Sequence, residues 1–406
     1  MKRKPELLAP AGDIERLKIA LTYGADAVYI GGPSLTMRAN AINFTFDDIK
    51  EGVTFAHKLK KKVYVTVNTV LHNEELDLIE DYLKKLEECK VDAIIVSDPI
   101  VVDIAQKTTK LQVHLSTQAS TSNVESCKFW KNQGVNRIVL ARECTKNEIE
   151  EIINNVDIEI EVFIHGAMCA GYSGRCVMSN FLTNRDANRG GCSQICRWDF
   201  ELMGEDKGII KGDRPFTFCS KDLSMLKYIP DMIEMGVTSL KIEGRMRSSY
   251  YIATVVSIYR KAIDEYCNFK DKYTYNKEYE RVLRRCANRD SVPQFFNGIY
   301  DYSCSYYNGR EEVSNQDFLG IVLSYDTNNK IATIEQRNYF KVGDIVEIFG
   351  PNHEIITKKI DKIYDEDGNL IDVVRHPKQV VKISIDDHLY ENDMIRKNDI
   401  DKSDNL

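Results

Sequence analysis

Four cysteines stand close together in the middle of the chain, on a segment whose other residues favour loops. Residues 165–198 read HGAMCAGYSGRCVMSNFLTNRDANRGGCSQICRW and contain Cys169, Cys176, Cys192 and Cys196. Six, fifteen and three residues separate successive cysteines. The residues between them include many Gly, Ser and Asn, which are turn formers. Because thiolates bind soft metals, we interpret this segment as a metal-binding loop.

Two kinds of metal group suit four thiolates. Zinc gives a closed structural site, whereas iron and sulfide give a [4Fe–4S] or [2Fe–2S] cluster. Zinc ribbons favour paired C-x-x-C knuckles, and residues 165–198 contain none. The spacing therefore favours a cluster and leaves zinc open. Cys219, in the stretch FTFCSKDLSML, is an alternative to Cys196 as the fourth ligand.

Two further roles for these thiols stay open. Cys169 has His165 four residues before it, and a cysteine–histidine pair is a known nucleophile arrangement. That role would explain one cysteine and leave three unused. The thiols could also be reduced and unligated, which would leave all four without a role.

Length and composition bound the class of protein. The chain has 406 residues, 43% of them hydrophobic, which predicts two or three domains with sizeable cores. Its net charge of −7 argues against a wholly basic nucleic-acid binder, although a local basic patch stays possible. No apolar run follows the N-terminal MKRKPELLAPAG, so we expect a cytoplasmic protein with reduced thiols and no membrane contact.

Eight short apolar runs alternate with amphipathic helical stretches between residues 6 and 242. The predicted strands are Glu6–Ala9, Ala27–Ile30, Lys62–Val67, Ala93–Val96, Gln112–Ser116, Arg137–Leu140, Glu159–Ile164 and Ser239–Ile242. This alternation predicts an α/β fold of the (β/α)8 TIM-barrel type, with a doubly wound open sheet as the alternative. The seventh connection is far longer than a crossover needs, and the cysteines lie on this excursion.

The pattern changes to period two near residue 319, where GIVLSYDTNNKIATIEQ reads as a hairpin. We predict a (β/α)8 barrel over residues 1–290, with the iron–sulfur loop at 165–225. A linker at 291–317 then leads to a small all-β barrel domain at 318–397. The polar tail at 398–406 completes the chain.

Polar side chains follow the predicted strands, at the end of a barrel where active sites lie. They are Arg38, Asn68, Asp98, Gln118, Arg142, Glu143, His165, Lys241, Glu243 and Arg245. Each one alone is also what a surface or helix-capping position would carry. Together they predict an active site at one face of the barrel. The cysteine segment also carries Arg185, Arg189 and Arg197, and Lys241, Arg245 and Arg247 add cations near the eighth strand end. These cations predict a pocket for a small dianion, which needs fewer of them than an extended RNA surface does, with a solvated charged rim as the alternative.

Several longer stretches resemble the peptidase U32 family of collagenase-like proteins. They are ELLAPAG, GADAVYIGG, HGAMCAGYSGRCVMSN, RDANRGGCSQICRW and SLKIEGRMRS. The resemblance runs through the whole chain and is closest to the branch of TrhP-type tRNA hydroxylation proteins. It implies an iron–sulfur cluster on Cys169, Cys176, Cys192 and Cys196. Relatives in this branch usually lack a cysteine before KDL, so Cys219 departs from their pattern.

The resemblance also implies a reaction. Members of this branch carry out oxygen-independent hydroxylation of the wobble uridine of tRNA to 5-hydroxyuridine, with prephenate as the oxygen donor. On this basis Glu243 and His165 are candidate proton-transfer groups. Candidate partners for the two prephenate carboxylates are Lys241, Arg245, Arg38 and Arg142.

Two other functions are weighed against this one. The first is a U32-type protease or collagenase, although the sequence has no HExxH or GxSxG motif. The second is a cluster-bearing RNA-binding protein without enzymatic activity. The expected partners are tRNA and a small dicarboxylate co-substrate, and a paralogous partner subunit stays open.

Overall fold

Eight parallel strands, β1 to β8, close into a barrel. The computed structural model describes residues 3–37, 43–210, 214–298, 300–307 and 317–398. The barrel strands are β1 Glu6–Pro10, β2 Ala27–Gly31, β3 Lys62–Val67, β4 Ala93–Val96, β5 Gln112–Leu115, β6 Arg137–Val139, β7 Glu159–Gly166 and β8 Ser239–Ile242. Strand β8 pairs with both β1 and β7, which closes the ring. The predicted (β/α)8 barrel is confirmed.

Helices occupy the connections, as the sequence pattern predicts. They are α1 Ile14–Thr22, α2 Phe46–Lys58, α3 Ile79–Glu88, α4 Pro99–Thr108, α5 Val124–Asn132, α6 Lys146–Asn155, α7 Met178–Thr183, α8 Ile229–Met235, α9 Ser249–Phe269 and α10 Lys277–Cys286. Side-chain caps define several helix starts: Asp13 accepts from the Arg16 amide, and Thr45 and Thr145 form capping boxes. Among the described residues, no helix has the length and apolar character that crossing a bilayer requires.

A charged network fills the middle of the barrel. The fully buried Glu161 carboxylate lies 2.9 Å from Lys241 Nζ and 3.1 Å from Arg137 Nη1. Arg137 Nη1 also lies 2.6 Å from Glu6, and this contact crosses the interior because β1 and β6 are not neighbours in the ring. Burial alone would raise the pKa of Glu161, but the charges of Lys241 and Arg137 outweigh it and lower the pKa to about 2.

The excursion after β7 returns to the barrel by adding a short strand to it. Strand Asp222–Ser224 pairs antiparallel with the end of β7, and Ser291–Val292 pairs with that strand in parallel. Ser305 also forms an isolated bridge with Ser220 of the excursion. The predicted linker at 291–317 thus begins with residues that pair with the excursion. The chain divides into one unit of Met1–Glu280 with Arg289–Glu312 and a second of Arg281–Asn288 with Val313–Leu406.

The second unit contains β-strands and the end of α10. Its strands are Phe318–Asp326, Ile331–Gln336, Phe340–Lys341, Ile345–Gly350, His353–Lys359, Ile363–Tyr364, Leu370–Ile371, Val373–Val374, Val380–Ser384 and Met394–Lys397. The all-β prediction is confirmed. Between residues 317 and 398 the antiparallel pairings form one eight-stranded sheet and one two-stranded sheet. Arg285 joins the helix end to this unit through Asp317, 2.6 Å away.

We predict that Glu161→Gln destabilises the barrel by about 3–5 kcal/mol, because it leaves Lys241 and Arg137 buried beside an uncharged group. Since the folded pKa of Glu161, about 2, lies below its ordinary value of 4.5, the carboxylate contributes stability above about pH 4.5. That contribution is lost as the pH falls toward 2. Urea unfolding of the barrel transition, followed from pH 7 to pH 3, measures both effects.

Glu151→Gln is the matched control, because Glu151 is an exposed glutamate of α6. We expect it to change stability by less than about 0.5 kcal/mol. An equal and small effect of both substitutions would contradict the network's role. The double variant Glu161→Gln with Lys241→Met should regain part of the lost stability, because it also removes one of the two cations that Glu161→Gln leaves without a counter-charge. That result would support the role of the network.

Candidate active site

Side chains from three strand ends meet at the mouth of the barrel. Arg142 follows β6 and its Nη2 lies 3.3 Å from the Glu243 carboxylate, which follows β8. The Tyr29 hydroxyl, from β2, lies 3.5 Å from the same carboxylate and donates to the Ile242 carbonyl at 3.0 Å. The Arg142 guanidinium also lies 3.8 Å from the centre of the Phe163 ring. This group brings together the predicted residues Arg142 and Glu243.

Lys241 lies below that group, within the barrel core. Its ammonium is 4.5 Å from the Tyr29 ring centre and 5.3 Å from the Phe163 ring centre, and it is paired with Glu161 at 2.9 Å. Because Glu161 balances its charge, Lys241 can remain buried beneath Arg142 and Glu243. Its predicted contact with a substrate carboxylate would compete with that pair.

Arg245 is buried on the other side of the mouth. Its Nη1 donates to the hydroxyls of Thr36 at 3.0 Å and Thr66 at 3.1 Å. A Cβ at Gly31 would lie 2.5 Å from this nitrogen, so the glycine leaves room for the guanidinium. Arg38, the fourth predicted cation, lies outside the described residues.

The structure turns His165 away from the side chains at the mouth. The register between β7 and β8 shifts at Ile242, and the His165 ring faces α9, with Nδ1 3.3 Å from the Tyr259 hydroxyl. Burial, followed by the charge of Arg247, lowers the pKa of His165 to about 3, so the ring is neutral at pH 7. Its role in proton transfer stays a prediction, and the described contacts of the ring are with Tyr259 and Tyr251 of α9.

Two neighbouring residues after β6 hold the start of the cysteine segment. Arg142 Nη1 donates to the Ala167 carbonyl at 2.6 Å. Glu143 accepts from the Ser173 amide at 2.7 Å and from the Ser173 hydroxyl. Ser173 has a left-handed backbone with φ of 48°, a conformation that costs energy in a residue other than glycine. The Glu143 contacts offset that cost and fix the segment between Cys169 and Cys176.

A second attachment holds the far part of the segment to the loop after β3. Arg189 makes a bidentate pair with Glu75, both N–O distances being 2.7 Å, and donates to the Val70 carbonyl at 2.8 Å. The hydrogen bond from Arg189 lowers the pKa of Glu75. The Val70 amide also donates to the Asn188 carbonyl at 3.2 Å. The segment is therefore anchored at both ends to barrel loops.

The thiols on this segment share one electrostatic environment. Cys169 and Cys192 are exposed, Cys176 and Cys196 are half-buried, and Cys219 is buried. Burial raises the pKa of Cys196 to about 11, and the charges of Cys169, Cys219 and Cys192 add to that rise. The described residues contain no group of three or more His, Cys, Asp or Glu side chains set to hold a metal ion. Thiolates bind soft metals, and Cys196 lies within electrostatic reach of Cys169, Cys192 and Cys219.

Three arginines surround one carboxylate beside these thiols. Asp222 lies 2.6 Å from Arg289 and 3.5 Å from Arg247. Burial, followed by the charge of Arg289, lowers the pKa of Arg197. The charge of Arg197 opposes the rise in the pKa of Cys196. Positive charge lowers the pKa of a thiol, but at Cys196 burial outweighs the charge of Arg197.

Sequence reasoning missed the anchors of the site. Tyr29 lies inside an apolar strand and Glu75 in a run of acidic residues, so neither stands out by pattern. Glu143 was predicted as a polar strand-end residue, but its contact with Ser173 was not. Alternation along β2 would have directed Tyr29 to the same face as Ala27, but its partner in space depends on closure of the ring.

Comparison with known proteins gives close relatives over nearly the full length. The tRNA hydroxylation protein P1 of Bacillus subtilis is 51% identical over 97% of this chain and 95% of its own length. The tRNA hydroxylation protein P of Escherichia coli is 34% identical over 87% of each chain. The 23S rRNA 5-hydroxycytidine C2501 synthase of Escherichia coli is 40% identical over 64% of this chain and 39% of its own.

Among solved structures, the C-terminal domain of a U32 peptidase from Geobacillus thermoleovorans is 51% identical. It covers 20% of this chain and 99% of that one, with a TM-score of 0.20. The family profile described as Peptidase family U32 matches residues 12–303, and that of the Peptidase family U32 C-terminal domain matches 314–396. The chain therefore belongs to peptidase family U32.

Proposed function

We propose that this chain hydroxylates RNA and that its product is 5-hydroxyuridine at the wobble position of tRNA. The observation that carries the proposal is the 51% identity to a tRNA hydroxylation protein over nearly the whole chain. A second relative is named for hydroxylation of a ribosomal RNA base. The shared element in these names is hydroxylation of a base in RNA. The uridine and its wobble position rest on the family resemblance of the cysteine segment.

The proposed cofactor is a [4Fe–4S] cluster on the cysteine segment. Cys169, Cys176, Cys192 and Cys196 would hold it, with Cys219 as the alternative to Cys196. A bound cluster supplies redox or Lewis-acid chemistry. The charge of Arg197 would lower the pKa of Cys196 against the effect of burial, and the Glu143 and Glu75 anchors would hold the segment against the barrel mouth.

The reaction requires an oxygen donor. Replacing the C5 hydrogen of uracil by hydroxyl adds one oxygen atom and oxidises the base by two electrons, so the donor gives up one oxygen atom and is reduced by two. We propose prephenate, a dicarboxylate, in this role. Arg142 and Arg245, at the barrel mouth, are the proposed carboxylate partners. Glu243, held by Arg142 and Tyr29, is the proposed proton-transfer group.

A peptidase is the alternative that the family name suggests. A Cys169–His165 pair would be its nucleophile and base. However, the His165 ring is buried against Tyr259 whereas Cys169 is exposed. A histidine whose pKa is lowered to about 3 is a weak base at neutral pH. The arrangement favours RNA hydroxylation over proteolysis.

We predict that single Cys→Ser substitutions at 169, 176 and 192 each lower the iron bound per chain after anaerobic purification. The reason is that a hydroxyl does not replace a thiolate as a ligand of an iron–sulfur cluster. Iron and sulfide analysis, with the visible absorbance of the protein, measures the loss. Comparison of Cys196→Ser with Cys219→Ser identifies the fourth ligand, since only one of them should lose the cluster.

Cys267→Ser serves as the control, because Cys267 lies on α9, outside the cysteine segment. It should retain the full iron content. A colourless wild-type protein with one equivalent of zinc would contradict the cluster.

We predict that Arg142→Lys lowers tRNA hydroxylation about 10- to 100-fold while iron content stays unchanged. Lysine cannot reproduce the fork by which Arg142 reaches both Glu243 and Ala167, and one charge-assisted hydrogen bond is worth about 1.5–3 kcal/mol. Arg3→Lys is the control, because Arg3 precedes β1 and lies at the amino ends of the strands. Equal activity in both variants would argue against Arg142 as a site residue.

The function itself is tested by nucleoside mass analysis of tRNA. A strain that lacks this gene and any redundant enzyme should lose 5-hydroxyuridine and its derivatives. The wild-type gene should restore them, and a Cys192→Ser gene should not. Unchanged 5-hydroxyuridine in the deletion strain would defeat the hydroxylase proposal.

A further inference from the structure

Large apolar side chains are exposed on the cysteine segment. We define the aromatic patch as Tyr172, Phe181 and Trp198. Phe181 is 85% exposed, Tyr172 50% and Trp198 48%. Three exposed rings on one short segment make it a candidate binding surface.

The patch is held on a defined scaffold. Helix α7, which carries Phe181, packs against the 3-10 turn Ile195–Arg197, which immediately precedes Trp198. The Ser193 amide donates to the Ser179 hydroxyl at 3.0 Å, and the hydroxyls of Ser193 and Thr183 are 3.0 Å apart. These bonds link the two elements around the exposed rings.

A third element joins this scaffold through Asn188. The Asn188 side chain accepts from the Cys176 amide at 3.3 Å and donates to the Cys176 carbonyl at 3.1 Å. Cys176 follows the turn Tyr172–Gly174 closely in sequence. All three rings therefore belong to one connected segment, which the Glu143 and Glu75 anchors hold to the barrel.

Positive charge accompanies the rings. Residues 165–198 contain four arginines and one acidic residue, Asp186, in a chain whose net charge is −7. Two of the arginines, Arg175 and Arg185, are exposed. Aromatic faces interleaved with arginines suit a polyanion with unpaired bases, because the bases stack on the rings and the phosphates pair with guanidinium groups.

We propose that the aromatic patch binds unpaired bases of a single-stranded RNA loop by stacking, with Arg175 and Arg185 contacting its phosphates. This inference rests on the proposed function and adds the surface that grips the RNA. The exposed thiols Cys169 and Cys192 lie on the same segment, so a loop held here would bring a neighbouring base toward the candidate active site. A double-stranded stem would gain little, because its bases are already stacked.

A protein partner is the competing occupant of the patch. Aromatic residues and arginine are also enriched at protein interfaces, so the rings by themselves do not distinguish the two occupants. The segment 165–198 carries four arginines against one acidic residue, and Arg175 and Arg185 are exposed. The local excess of positive charge in an acidic chain therefore favours RNA.

The test measures binding of the full-length protein to a labelled RNA hairpin with a seven-base loop and to a blunt RNA duplex of equal length. Phe181→Ala and Trp198→Ala should each weaken hairpin binding about 5- to 150-fold, the loss expected for one stacked base. Duplex binding should stay unchanged. Phe181→Tyr should retain hairpin affinity, because tyrosine offers the same stacking face.

Salt dependence separates the rings from the charges. Arg185→Gln should reduce the slope of log affinity against log salt by about 0.7, the value for one phosphate of a single strand. Phe181→Ala should leave this slope unchanged, because it removes no charge. Phe129→Ala is the matched control: Phe129 is 54% exposed on α5 and lies outside the segment. It should leave hairpin affinity unchanged.

The outcomes distinguish this inference from the proposed function. Wild-type affinity for the hairpin in Phe181→Ala and Trp198→Ala would overturn the stacking surface and leave RNA hydroxylation standing. Unchanged RNA affinity together with a smaller oligomer in sedimentation would assign the patch to a protein interface and overturn it equally. Failure of the wild-type protein to bind any RNA, tRNA included, would overturn both.

Discussion

The arrangement of the candidate site depends on the Arg142 guanidinium. One side of its planar fork contacts Glu243 at the end of β8, and the other holds the Ala167 carbonyl where the cysteine segment begins. The excursion is thereby attached to the barrel at the point where chemistry is proposed. Sites held in this way lose less conformational entropy when a ligand binds. Glu143, the next residue, continues the attachment by holding Ser173 in a left-handed conformation.

The barrel interior beneath this site contains charged side chains. Glu161, Lys241 and Arg137 are all buried, so each charge is tolerated only because the others balance it. A cation in the core that already has a partner is poorly suited to capture a substrate anion. Arg142 is also paired, with Glu243, but that pair is longer and more exposed than the pair of Lys241 with Glu161. Of the proposed carboxylate partners, Arg142 is therefore less tightly bound within the protein than Lys241.

Sequence patterns predicted the strands, most of the helices and the cysteine segment, because each of these is a local property. An apolar run of four to eight residues between helical stretches is typical of a buried strand in an α/β fold. The direction in which a side chain points was harder to predict from the sequence. A bulge in β7 directs His165 toward α9, and a bulge is a property of two paired strands. The ion pairs of Lys241 likewise depend on a residue from the neighbouring strand.

By itself the sequence determined the order of elements, the clustering of thiols and the excess of arginine around them, since these need only the identity and spacing of residues. Only the tertiary structure decided which of those residues meet. Closure of the ring placed Tyr29 beside Glu243, and the return of the excursion placed Cys219 within the electrostatic reach of Cys196. Contacts between residues far apart in sequence arise from packing of the whole fold, which no local pattern contains.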